Sequence, residues 1–185
     1  MKLISRNHFK QKGLASVELT MVISILLMLS AGIFELTRMI QASIIATSIS
    51  REGANLISRS STETPEEVMD LVASTSNPLN LNSDGIIYMS LVVGQDNDLP
   101  YLSRQYRWQN YGYDAESEVW SGCPSWDYEG QCQISGDLPK LAGFPLSLAA
   151  GESVYVVEVV YRHHPILKFK GLFDKALTIR QETYL

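Results

Sequence analysis

Residues 19–34, LTMVISILLMLSAGIF, contain no charged side chain. With Leu14, Ala15 and Val17 ahead of them, the apolar stretch reaches about 20 residues, the length that crosses the hydrocarbon core of a bilayer as a helix. Three arrangements use such a segment: a removable secretory signal, an uncleaved signal anchor, and a membrane helix retained after a short leader is cut away. A secretory signal has an apolar core of about 7–15 residues followed by small residues at its cleavage site. Ser30, Ala31 and Gly32 offer such a site, but the run before them is long and an acid, Glu18, interrupts it. A carboxylate at membrane depth costs free energy unless it is paired or neutralised, which makes Glu18 a functional candidate. The plainer alternative is that Glu18, near the helix start, snorkels to the cytoplasmic headgroups.

Charge is distributed unevenly along the chain. Residues 1–13 hold Lys2, Arg6, His8, Lys10 and Lys12 and no acid. Without them eleven Lys and Arg face twenty Asp and Glu, a formal −9 in place of −5. A chain of that sign offers no basic footprint for nucleic acid. A positive leader holds the N-terminus on the cytoplasmic side of a membrane. The order Lys12, Gly13, Leu14, Ala15, Ser16, Val17, Glu18 resembles the type IV prepilin processing motif, with basic residues, a leader-terminal Gly, a hydrophobic first mature residue and Glu at the fifth mature position. The resemblance implies that a prepilin peptidase cuts between Gly13 and Leu14 and leaves the helix on the product. Gly at the cut brings no side chain and a low helix propensity, which suits a protease that draws extended backbone into a membrane-level active site. It also implies that Glu18 meets the new amino terminus of a neighbouring subunit, each charge offsetting the desolvation of the other.

Beyond Phe34 apolar residues recur near a 3.6-residue period (Leu36, Ile40, Ile44, Ile45, Ile49, Leu56, Ile57) among Arg38, Gln41, Ser48, Arg51 and Glu52. This predicts an amphipathic continuation of the same helix. No proline lies between Leu14 and Thr64, and Ser60 to Pro65 supply a stop and a new start. A helix from Leu14 to about Arg59 is about 69 Å long at 1.5 Å per residue, of which about 30 Å spans the membrane. Gly32, Glu35 and Arg38, then Arg51, Glu52, Gly53 and Ala54, resemble the corresponding spacing in the TadE/TadF-like family, minor pseudopilins of the Tad (tight adherence) pilus. Many members carry a proline six residues after the motif glutamate, where this chain has Ser24. Read locally, Glu35 and Arg38 are also a simple surface pair one turn apart, worth a few tenths of a kcal/mol. Gly53 costs about 1 kcal/mol against Ala in a helix interior and makes sense if the following domain packs closely there.

Residues 61–185 are long enough for one compact domain. Residues 65–74 read as a short helix with Pro at its first turn and Glu66 and Glu67 at its N-terminus, and the SNPLNLNSDG run breaks it. Residues 85–94 and 153–162, rich in Val, Ile and Tyr, read as central strands; residues 105–111 and 176–183 read as two more. The expected fold is α+β: a long N-terminal helix followed by a mainly antiparallel sheet with a short helix. The strand ending in Tyr161 and Arg162, the apolar Pro165, Ile166 and Leu167, and a last strand with Leu177, Ile179 and Arg180 add to the family resemblance. Residues 96–145 do not share it. That middle segment holds Tyr101, Tyr106, Trp108, Tyr111, Tyr113, Trp120, Trp126 and Tyr128, either a contact surface or packing around a looped stretch. Cys123 and Cys132 lie there; outside the cytoplasm they read as a disulfide, the alternative being two buried thiols.

Catalytic constellations are missing from the sequence. His163 and His164 are adjacent, so on a strand they point to opposite faces and cannot both ligate one metal conveniently. No phosphate-binding Gly loop or nucleophile elbow is present, and Asp96 and Asp98 in GQDNDLP lack the rest of a calcium loop and read as a turn. The expectation is a non-enzyme without metal or cofactor, organised as a leader (1–13), a membrane and extracytoplasmic helix (14–60) and an extracytoplasmic domain (61–185). The resemblance implies the inner membrane as its location, with a cytoplasmic N-terminus. It implies as partners the prepilin peptidase, other Tad pilins and pseudopilins, and the inner-membrane assembly platform. An uncleaved, signal-anchored binding module and an envelope hydrolase are the competing classes.

Overall fold

The computed structural model describes residues 9–59, 62–96, 98–166 and 175–185. Residues 1–8 of the expected leader, the junction at 60–61 and Leu167 of the expected apolar connector lie outside the described residues. Among the described residues seven elements follow one another: α1 (Phe9–Arg59), α2 (Pro65–Ser74), α3 (Leu81–Asp84), β1 (Gly85–Gln95), β2 (Asp98–Arg107), β3 (Ser153–His163) and β4 (Leu177–Tyr184). The helix α1 is uninterrupted and already under way at Phe9, so Gly13 and Leu14 sit within it, ahead of the expected start. It is long and apolar enough to cross a membrane.

The strands form one antiparallel sheet in the order β2-β1-β3-β4. Both central strands are largely apolar on both faces, because both faces are covered, with Ser90, Glu158 and the terminal His163 the buried polar exceptions. Ile87, Met89, Val157 and Val159 pack against Ala46, Ile49, Ala54 and Ile57 of α1 and Val68, Met69 and Val72 of α2. On the other face Ile86, Tyr88 and Val160 meet Tyr111, Tyr113 and Trp126, while Val92, Leu102, Val154 and Val156 meet Trp120, Leu141 and Phe144. The residues between β2 and β3 thus act as a second layer, and the Cys123–Cys132 disulfide, with 5.8 Å between its Cα atoms, cross-links it. Isolated bridges, Tyr106 to Gln131 and Tyr101 to Lys140, tie the same segment to the edge of β2.

Two expectations need correction. The second strand runs from Asp98 to Arg107 rather than 105–111. Pro100 is tolerated because β2 is an edge strand, and the Pro100 carbonyl accepts from the Leu141 amide. Trp108 and Asn110 leave the strand because Asp70 of α2 accepts from Trp108 Nε1 at 2.7 Å and from Asn110 Nδ2 at 3.0 Å. The SNPLNLNSDG run is not only a break; its end forms the single turn α3, anchored by the buried Leu81. The start of α2 is as expected, fixed by a capping box: Thr64 Oγ1 accepts from the Glu67 amide, and Glu67 Oε2 accepts from the Thr64 amide.

Candidate functional site

The side of α1 that faces its own domain is built from small residues, isoleucines and one acid. Ala42, Ala46, Ile49, Gly53 and Ala54 are buried against the sheet, and Ser50 Oγ donates to the Val157 carbonyl at 3.0 Å. A Cβ on Gly53 would sit 3.2 Å from Val157 Cγ1 and 3.4 Å from Met89 Cε, which accounts for a helix-weakening residue at this crossing. At the membrane-facing end of this side stands Glu35, 1 % exposed. Its Oε1 lies 2.9 Å from Nε2 of His163 and 3.3 Å from Nη1 of Arg38, and its Oε2 accepts from the Ile166 amide at 3.3 Å. Glu35 is therefore not half of a surface pair. It is the acceptor that fastens the end of β3 to the helix immediately past the apolar run.

A second cluster flanks the first. Asp84 Oδ1 accepts from Arg162 Nη2 at 3.3 Å and lies 2.9 Å from His164 Nε2. Burial pushes the Asp84 pKa up, but hydrogen bonds from Ser83, Arg162 and His164, with the charge of His164, outweigh it and hold the carboxyl below its ordinary value. The two adjacent histidines do point to opposite sides and serve different carboxylates.

No described residue covers the opposite side of α1. At about 100° per residue, Glu18, Val22, Leu29, Ile33, Leu36, Ile40, Ile44 and Arg51 fall along one stripe, diametrically across from Glu35, Ala42, Ala46, Ile49 and Gly53. Ile33, Leu36, Ile40 and Ile44 are each more than half exposed, so the apolar stripe continues past the membrane span. Glu18 has no hydrogen-bond or ion-pair partner among the described residues, and a Cβ on Gly32 would touch nothing within 4 Å. Arg51 and Glu52 are exposed. Residues 13–55 match the TadE-like protein family. The TadE-like segment thus contains the free stripe and the domain-facing side together, and it ends before the sheet begins. Among curated proteins and solved structures the chain has no match.

Sequence reasoning singled out Glu35, Arg38 and Gly53, the pairing of the first two and close packing at the third, but not His163, the Ile166 amide or Val157 as their partners. It missed the buried Glu158, whose Oε1 pairs with Arg180 and accepts from the Glu118 amide at 3.0 Å. Burial pushes its pKa up against those bonds. An acid at the midpoint of an otherwise apolar strand was the available signal. Of the aromatic middle, Trp108 is buried, Trp126 packs 5.9 Å from Tyr88, and the Arg107 guanidinium lies over the rings of Tyr111 and Trp126 at 4.7 and 4.8 Å. These aromatics pack the domain; Tyr128 is the one large aromatic of the group left fully exposed.

Proposed function

We propose that the chain is a minor pseudopilin that acts in initiating or assembling a Tad-type adhesive pilus. In this reading it inserts in the inner membrane with its N-terminus in the cytoplasm, a prepilin peptidase cuts after Gly13, and the domain stands outside the cytoplasm. It acts through contacts rather than catalysis. The observation that carries the reading is the two-sided TadE-like helix. One side is committed to the chain's own sheet, while the other is a continuous apolar stripe with a carboxylate, Glu18, that has no partner among the described residues. A membrane carboxylate and an apolar stripe that outlasts the bilayer call for a second helix alongside, the geometry of pilin-like packing.

The N-terminal residue and intact mass of the membrane-extracted protein test it. The pseudopilin reading expects Leu14 as the first residue, and expects Gly13→Arg to accumulate a longer form and abolish piliation. Normal size and normal piliation in that variant refute it. A second reading, a signal-anchored binding module, draws on one feature: a cleft of about 210 Å³ walled by Tyr88, Arg107, Trp120 and Trp126. That reading expects Met1 at the N-terminus and a phenotype confined to substitutions in the cleft.

A further inference from the structure

The end of the sheet that contacts Glu35 differs in charge from the rest of the chain. Arg38 and Arg162 gather there with His163 and His164 against Glu35 and Asp84, in a protein whose acids outnumber its Lys and Arg by twenty to fifteen. Between α1 and the turn at 77–79 this end opens into a cleft of about 90 Å³ lined by Arg38, Gln41, Pro78, Leu79, Tyr161 and His163. That is room for several water molecules, enough for one phosphate group.

The level of the cleft is set by the helix. Arg38 lies four residues past Phe34, the last residue of the apolar run, and Gln41 seven, or about 6 and 10 Å along the axis. The headgroup layer on each side of the hydrocarbon core is about 5–8 Å deep, so the mouth of the cleft lies among the lipid phosphates if α1 crosses the membrane as proposed. The chemistry suits that neighbour. Arg38 engages Glu35 through Nη1, and its other N–H groups have no carboxylate partner among the described residues. A guanidinium so placed presents a planar fork matched to a phosphate, and Gln41, exposed one turn above, can add an amide donor. Glu35 is enclosed behind Arg38 by His163 and the Ile166 amide, so it orients the arginine without filling the cleft.

We propose that this cleft is a phospholipid-headgroup site of the outer leaflet of the membrane that α1 crosses, in which Arg38 holds the phosphodiester. The guanidinium of Arg38 at the mouth favours anionic lipid over zwitterionic lipid, and the bound lipid fixes the height of the domain above the bilayer. The inference rests on the membrane-spanning reading of α1, and the test separates the two.

The full chain is reconstituted in vesicles of equal parts phosphatidylcholine and phosphatidylglycerol, checked for flotation, then released into detergent and weighed by native mass spectrometry. Wild type is expected to float and to retain one phospholipid, enriched in phosphatidylglycerol. Arg38→Gln is expected to float but to lose roughly tenfold in retained lipid, the equivalent of one charge-assisted contact. Gln41→Leu, an exposed position whose change cannot unfold the domain, is expected to lose a smaller factor. Flotation with unchanged retention in both variants overturns the site. Inorganic phosphate that displaces the lipid from wild type and binds the lipid-free protein through Arg38 makes this a free-anion site, which also overturns the lipid assignment. Failure of wild type to float overturns the membrane reading beneath it.

Discussion

Glu35→Ala is the most informative single change to the domain. It removes a carboxylate that is 1 % exposed and accepts from Arg38 and the Ile166 amide and pairs with His163, itself 2 % exposed. Hydrogen bonds to a charged group contribute about 1.5–3 kcal/mol each, and the two 3.3 Å contacts belong at the low end of that range. Losing the acceptor also strands the buried His163 ring, while relief from burying a charge returns part of the loss, leaving about 3 kcal/mol of destabilisation. That is about a hundredfold in the folded-to-unfolded ratio, or about 2 M in urea midpoint for a slope near 1.5 kcal/mol/M. The assay is urea unfolding of the detergent-solubilised chain followed by tryptophan fluorescence. Its three tryptophans, Trp108, Trp120 and Trp126, all lie in the sheet domain, so the signal does not report on the membrane half of α1. Glu35→Gln, which keeps one acceptor, is expected to lose about half as much, and Leu36→Ala on the free stripe less than about 0.5 kcal/mol. A Glu35→Ala midpoint indistinguishable from that of Leu36→Ala refutes the fastening role.

Three further outcomes follow from the same geometry. Asp84 has a depressed folded pKa, so its contribution is fully present above the unfolded aspartate value and is lost as pH falls through the folded one; unfolding midpoints measured against pH should fall below about pH 4, and Asp84→Asn should make that acid limb shallower. Gly53→Leu inserts a branched side chain where a Cβ alone already meets Val157 at 3.2 Å, and is expected to cost about 1–3 kcal/mol in the same urea titration. Replacing Cys123 and Cys132 together with Ser removes the cross-link over a nine-residue separation and is expected to cost about 2–3 kcal/mol, read from the Trp126 environment and checked by thiol alkylation.

The long helix and the two central strands were legible because local pattern determines them: an uncharged run long enough for a bilayer, and β-branched stretches bounded by turns. The position of β2 was not, because Tyr106, Trp108 and Tyr111 carry strand-forming aromatics past its end, and it is the distant Asp70 that draws Trp108 out of the sheet. The residues that mark the candidate site were visible, but their meaning was not. Glu35 and Arg38 look the same on a sequence whether they pair in solvent or brace a domain; the deciding partners, His163 and the Ile166 amide, lie 128 and 131 residues away. Gly53 was read for close packing because a glycine in mid-helix demands a reason, and Val157 supplies it. Glu158 was overlooked because its neighbour Arg180 comes from another strand and its amide donor from the layer above the sheet.

The attachment of the domain along one side of α1, from Glu35 to Ile57, has a mechanical consequence. The outer half of the helix is splinted by a four-stranded sheet and contains no proline, so it bends little under load. From Glu35 to Arg59 the rod is about 36 Å long, and a change of about ten degrees in the tilt of its membrane portion swings the far end sideways by about 6 Å. In the proposed arrangement α1 is a lever with its fulcrum at the bilayer surface, and a small change in the tilt of its apolar half is amplified into a displacement of the domain.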